Sequence, residues 1–154
     1  MVTGYTVQIE GLDSLMRWLK EADPKLQRAL KRALKESMSP VLRDARSNAA
    51  RIQDDYTYGA SLAIASRKNG TQYILKTSDP NAGVKEFARE GAVMIRNRAN
   101  TPRSARMVAN HARVGVPRGS KPRVMVPAVE GNADAVKRRM EACIEEVLKE
   151  VEHA

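Results

Sequence analysis

Apolar residues recur with a helical period in two long stretches of this sequence, and no other feature constrains the fold as strongly. In the first stretch, Asp23–Pro24 has the form of a helix N-cap followed by a proline in the first turn. Ser39–Pro40 predicts either a kink or the cap of a second segment, from Val41 to about Ala50. In the second stretch, Gly131–Asn132 predicts the start of the last helix, with Asn132 as its cap. The predicted buried face of that helix consists of Val136, Met140, Ile144, Val147, Leu148 and Val151.

The strongest strand signal surrounds Asn69–Gly70, the preferred dipeptide of a two-residue hairpin turn, because both turn positions require a positive φ. This turn predicts an antiparallel register with the pairs Lys68–Thr71, Ser66–Tyr73 and Ile64–Leu75. It places an apolar face on the hairpin, which consists of Leu62, Ile64, Tyr73 and Leu75. Further strands are predicted at Tyr5–Glu10, Ala92–Ile95 and Arg123–Val126.

These elements predict an α+β fold, in which a small antiparallel sheet with a hairpin packs against a long helix and a C-terminal amphipathic helix. With 154 residues, we expect a single domain over 1–154. No run of 18 apolar residues occurs, and no basic region precedes an apolar run near Met1, so we expect neither a membrane span nor a signal peptide. The single cysteine indicates synthesis in a reducing cytoplasm.

The chain carries a net charge of +9, and its bases and acids are segregated. No Asp or Glu occurs from Gly91 to Val129, and within this stretch an extended Arg-rich loop is predicted at about 97–121. In the first helical region, bases cover the side opposite the apolar stripe: Lys25, Arg28, Lys31, Arg32 and Lys35. Such charge predicts a nucleic acid, an anionic membrane or an acidic protein face as partner. A solvated loop without a partner is the other interpretation.

The last helix places Lys137–Arg139 near its predicted start and several glutamates near its end, which opposes the helix dipole. A partner surface or chance would each explain this order. A basic middle and an acidic end within one chain favour head-to-tail association between copies.

Residues capable of catalysis are few, and their spacing fits no familiar site. His111 lies in the Arg-rich loop without a nearby cysteine or carboxylate, and His153 is the penultimate residue. Cys143 is interpreted as a small buried apolar residue, and Asp54–Asp55 as a cap or turn. The sequence therefore predicts no enzyme, no cofactor and no metal. No aromatic residue follows Phe87, so nucleic-acid binding would depend on phosphate contacts without base stacking.

The order of several short stretches resembles a family of neck and tail-completion (head–tail joining) proteins of long-tailed bacteriophages. The stretches that carry this resemblance are Val7–Leu12, Val41–Arg46, Phe87–Gly91 and the P-x-x-x-x-P-A pattern of Pro122–Ala128. Tyr58–Leu62 keeps only the Gly and Leu of the family's usual Thr-Gly-x-Leu turn, and the Arg-rich stretch is longer than in that family.

The resemblance implies a structural virion protein, made in the host cytoplasm, that forms a ring at the head–tail junction around the DNA passage. Such rings are commonly six-fold, and their neighbours are head-completion or connector proteins and tail-tube proteins. A tail terminator, a head-completion protein and a sequence-independent nucleic-acid-binding protein are the alternatives. The hypothesised contacts to a neighbouring subunit or to DNA are Arg98, Arg103, Arg106, Arg113, Arg118 and Lys121.

Overall fold

The computed structural model describes residues 9–51, 56–80, 82–87 and 122–154. In this part of the chain, the elements are six α-helices, two strands and one turn of 3-10 helix at Lys68–Gly70 between the strands. The α-helices and strands are α1 (Leu12–Ala22), α2 (Pro24–Glu36), α3 (Ser39–Ala50), α4 (Tyr56–Ser61), β1 (Leu62–Arg67), β2 (Gln72–Thr77), α5 (Ala82–Phe87) and α6 (Met125–His153). The strands form one antiparallel sheet, and its apolar side packs with the helices around a common core. The predicted α+β class, with a hairpin and a C-terminal helix, is confirmed.

The first three helices begin where the sequence predicts a cap or a break. Asp23 Oδ1 accepts hydrogen bonds from the backbone N–H groups of Lys25 at 3.1 Å and Leu26 at 3.0 Å. Ser37 and Met38 separate α2 from α3, and Pro40 lies in the first turn of α3. Of the two possibilities at Ser39–Pro40, the structure therefore contains a second helical segment. The core side of the three helices consists of Leu12, Met16, Leu19, Leu30, Leu34, Val41, Ala45 and Ala49.

The hairpin has the predicted register, with Ile64 opposite Leu75 and Ser66 opposite Tyr73. Asn69 and Gly70 both adopt positive φ, at 57° and 85°, as the turn requires. Lys68 also has a positive φ of 46°, so the strand pairing ends at Arg67 instead of Lys68. Leu62, Tyr73 and Leu75 are buried, and Ile64 packs beside them at the edge of the core. The predicted apolar face of the hairpin is therefore confirmed.

The predicted strand Arg123–Val126 is wrong, because α6 begins at Met125. Its first N–H groups are satisfied by the carboxylate of Glu86, which lies far away in sequence and overrides the strand preference of Val124 and Val126. The predicted cap Asn132 is also wrong. It lies within α6, where its Nδ2 donates to the Ala128 carbonyl and to Asp44 Oδ2, each at 2.8 Å.

Several predictions about the buried face of α6 need correction. Leu148 retains 43% of its exposure, and Cys143, Ile144 and Val151 are half-buried and pack against the core from its edge. Val136, Met140 and Val147 are buried as predicted. Several other predictions lie outside the described residues: most of the strand Tyr5–Glu10, the strand Ala92–Ile95, the turn at Asp54–Asp55, and the loop at 97–121.

Candidate functional site: an anchored Arg-rich segment and two charged surfaces

All six hypothesised contact residues lie outside the described residues, as does His111. They belong to the segment 88–121, which leaves the described fold after Phe87 and returns at Pro122. What the structure describes is the base of that segment, where the end of α5 meets the start of α6. The site is therefore built from this base and from the charged helix surfaces around it.

Glu86 joins the two ends of the segment. Its side chain is buried, and Oε1 accepts from the backbone N–H groups of Val124 at 3.1 Å, Met125 at 2.9 Å and Val126 at 3.2 Å. Its Oε2 also lies 2.9 Å from the Met125 nitrogen. A carboxylate at this place satisfies the N–H groups that a helix start leaves without intrahelical partners, and it interacts favourably with the helix dipole. Glu86 is therefore the cap of α6, supplied from outside that helix.

Arg123 makes the second connection between the two ends. Its backbone N–H donates to the Glu86 carbonyl at 3.0 Å, and its Nε donates to the Lys85 carbonyl at 2.7 Å. The chain entering the Arg-rich segment and the chain leaving it are thus held within hydrogen-bond distance. Because these contacts are largely buried, they are little exposed to competition from water.

A buried ion pair stabilises the place where the end of α5 meets the start of α6. Lys85 Nζ pairs with Asp79 Oδ2, and both side chains are almost fully buried. The ammonium group also lies 5.5 Å from the centre of the Tyr58 ring, a favourable cation–π distance. The Tyr58 hydroxyl donates to Glu86 Oε2 at 3.3 Å. Burial raises the pKa of Tyr58 well above its usual value, and the neighbouring Glu86 charge raises it further.

This cluster contains acids, a base and a phenol, but every described member has a structural partner. It lies beneath the start of α6, and its hydrogen bonds are made to backbone groups and to its own members. The arrangement holds two chain segments together, which is the role that its geometry supports. The sequence pattern could not reveal it, because Glu86 and its N–H partners are 38 to 40 residues apart. The only local signal was a charged pair, Lys85–Glu86, next to apolar Val84.

A first charged surface lies on α2 and is called here the basic ridge. It consists of four exposed side chains at helical spacing, Lys25, Arg28, Arg32 and Lys35. No ion pair joins any of the four to an acid in the part of the chain that the structure describes. Lys31, predicted on the same side, is half-buried and donates to Asn69 Oδ1 at 3.0 Å, so it supports the hairpin instead.

A second charged surface lies at the other end of the chain and is called here the acidic end of α6. It consists of the exposed residues Glu145, Glu146, Glu150 and Glu152. None of these glutamates pairs with a base within residues 9–51, 56–80, 82–87 and 122–154. Lys137–Arg139 lie in the middle of α6, because the helix begins earlier than predicted, so they do not oppose the dipole at its start. The glutamates do oppose it at the end.

A polar groove runs between α3 and α6, with a volume of about 320 Å³. Asp44, Ser47, Asn48, Arg51 and Asn132 line it. The hydrogen bond from Asn132 lowers the pKa of Asp44, and Arg43 lowers it further. Since Asn132 binds Asp44 and Asn48 donates to the Val124 carbonyl at 3.1 Å, these groups connect the two helices. We assign the groove a structural role.

Other chemistry-bearing residues give no constellation among the described ranges. Cys143 Sγ lies 3.8 Å from Ser37 Oγ at the contact between α2 and α6, and His153 is exposed at the end of α6. No cluster of three or more His, Cys, Asp or Glu side chains suited to a metal ion occurs in the described part of the chain. Of the helices described, none combines the length and apolar character needed to cross a bilayer.

Comparison of the chain with protein-family models, curated proteins and solved structures finds no match.

Proposed function

We propose that this protein is a structural virion subunit that forms a six-membered ring at the phage head–tail junction and joins or completes the tail around the DNA passage. The order of the four stretches described above supports this proposal, as a resemblance to neck and tail-completion proteins. The structural observation that supports it is the separation of two charged surfaces, basic on α2 and acidic at the end of α6, neither of which has an ion-pair partner among the described residues.

A ring requires heterologous contacts, in which one patch of each subunit meets a different patch of its neighbour. A subunit with one basic and one acidic surface supplies two such patches. The anchored base of the Arg-rich segment adds a further element. Glu86 and Arg123 hold the end of α5 within hydrogen-bond distance of the start of α6, and the arginines proposed as contacts lie between these two points in the sequence. Their proposed role is electrostatic, toward an acidic neighbour or toward DNA.

Electron microscopy of the purified full-length chain by negative stain tests the ring. We expect rings or stacked rings at tens of micromolar protein in low salt, and class averages give the symmetry directly. Mass photometry of the same samples gives the subunit number. A chain that remains monomeric at all concentrations and salt conditions, alone and with its own phage's neck proteins, contradicts the proposal.

The charge of +9 favours one competing function, sequence-independent nucleic-acid binding. Binding that depends on phosphate contacts weakens steeply with salt, in proportion to the number of counterions released. A fluorescence anisotropy titration with labelled duplex DNA at several salt concentrations separates the two functions. Tight, salt-dependent DNA binding by a monomer that never assembles favours the competitor, whereas rings that form without DNA favour the subunit.

A further inference from the structure

We infer that the basic ridge of α2 in one copy of this chain docks on the acidic end of α6 in the next copy. This inference rests on the proposed ring and assigns its subunit contact to two described surfaces. It does not use the Arg-rich segment, so the two kinds of contact are tested separately. The partner is a second copy of this chain, because one chain presents both complementary surfaces.

The basic ridge carries like charges at close range. Arg28 and Arg32 are separated by four residues, and Lys25 and Lys35 extend the row in both directions. Like charges at this spacing repel one another on a helix. Lys25 also lies in the first turn of α2, where a positive charge opposes the helix dipole. Arg28 Nε donates to the Pro24 carbonyl at 3.2 Å and Lys35 lies in the last turn, where a positive charge is favourable, but neither contact neutralises the row of charges. An acidic surface placed against the ridge relieves the repulsion.

The acidic end of α6 also carries like charges close together, and here they are negative. Glu146 and Glu150 are four residues apart. Lys149 stands among the glutamates and His153 in the last turn, but no ion pair joins either base to a glutamate in the described part of the chain. Leu148 is 43% exposed at this end, with Glu145 three residues before it and Glu152 four residues after it. Leu148 is thus an exposed apolar side chain, flanked by acids, that a partner subunit can bury.

The fold leaves both the basic ridge and the acidic end of α6 exposed on the same subunit. The apolar faces of α2 and α6 are already used inside the subunit, where Leu30 and Leu34 share a core with Met140 and Val147. The charged surfaces therefore remain on the outer sides of the two helices. The ridge spans about 15 Å along α2 and the acidic end about 10 Å along α6, so the two rows are similar in length.

Charge reversal gives a direct test in the full-length chain. The ridge variant carries Lys25→Glu, Arg28→Glu and Arg32→Glu, and the acidic-end variant carries Glu145→Lys, Glu146→Lys and Glu152→Lys. Lys, Arg and Glu have similar helix propensities, and the new charges near the helix ends agree better with the dipoles. We therefore expect both variants to fold. Urea denaturation followed by far-UV circular dichroism checks this before assembly is measured.

Sedimentation velocity of the two variants, alone and mixed in equal amounts, measures assembly. Alone, each variant brings like charges together at the contact, and we expect self-association to weaken at least about tenfold. Mixed, the two variants present opposite charges at every contact of an alternating ring, and assembly is restored. A chain that carries all six reversals is also expected to assemble, because both of its surfaces have changed sign.

The matched control carries Arg67→Glu, Arg138→Glu and Arg139→Glu, three reversals of exposed bases outside the ridge, which change the net charge equally. We expect it to assemble like the wild type. Rings that form equally well with the ridge variant overturn this inference and leave the proposed function standing. A monomeric wild type under all conditions overturns both. Loss of DNA binding by the ridge variant, with assembly unchanged, reassigns the ridge to a nucleic acid.

Discussion

Replacing Glu86 by glutamine removes a charge from the start of α6 while leaving the size of the side chain almost unchanged. The substitution keeps one carbonyl oxygen as acceptor and converts the other oxygen to an NH2 group. In the native fold the carboxylate accepts from the backbone N–H groups of Val124, Met125 and Val126 and from the Tyr58 hydroxyl. All of these donors lose their charged acceptor in Glu86→Gln.

The size of the effect follows from these contacts. A hydrogen bond to a charged group contributes about 1.5–3 kcal/mol and a neutral one about 1 kcal/mol, so each of the three backbone bonds weakens by about 1 kcal/mol. Glutamine is less costly to bury than a charge, which offsets part of the loss. We expect the free energy of unfolding to fall by about 2–3 kcal/mol in total. For a chain of this size, that corresponds to a decrease in Tm of about 4–12 °C.

Urea denaturation monitored by far-UV circular dichroism measures this change, and calorimetry gives the Tm. Glu145→Gln is the matched control, because it removes the same charge from an exposed position of α6 and should change the free energy of unfolding by less than about 0.5 kcal/mol. Glu86→Ala leaves the three donors without an acceptor and should cost about 4–5 kcal/mol. If Glu86→Gln behaves like Glu145→Gln, then Glu86 does not stabilise the start of α6.

Three further predictions concern individual positions. Gly131 lies within α6 with open space where a Cβ would lie, so Gly131→Ala should raise the free energy of unfolding by about 0.5–1 kcal/mol, and unchanged stability by urea denaturation would contradict this. Gly70→Ala should lower it by about 1–2 kcal/mol, because φ is +85° and the new Cβ meets Lys31 Cγ at 2.8 Å; unchanged stability in the same measurement would contradict this. Asn132 lowers the pKa of Asp44, so the ionised carboxylate stabilises the fold above pH 3.8 and this contribution is lost as the pH falls further. In Asp44→Asn, the free energy of unfolding should fall less steeply than in the wild type as the pH decreases below 3.8. The same pH dependence in both proteins would show that the carboxylate contributes nothing.

Elements could be predicted from the sequence where the residues that determine them are only a few positions apart in the chain. Asp23 caps α2 through N–H groups two and three residues away, and Asn69–Gly70 forms its turn from its own φ preferences. The hairpin register follows from that turn, because strand pairing continues in alternation from it. The charge of the two helix surfaces was also readable, since helical spacing places Arg28 and Arg32 on one side.

The start of α6 was not predictable in the same way. Val124, Met125 and Val126 are typical of a strand, and their helical conformation depends on an acceptor contributed by Glu86 from another part of the chain. Asn132 has a strong preference for helix caps, yet here its amide binds the Ala128 carbonyl and Asp44. In each case a tertiary partner decides the local structure.

The joining of Glu86 to Arg123 has a consequence for how this chain can vary. The two backbone atoms in the Arg123 N–H to Glu86 carbonyl bond are 3.0 Å apart, so a few residues would suffice to connect α5 to α6. The sequence between these residues therefore does not have to bridge a gap between α5 and α6. The entropic cost of closing such a loop also changes only slowly with the length of the loop. We therefore expect changes in the length or charge of 88–121 to leave the backbone hydrogen bond between Arg123 and Glu86 in place.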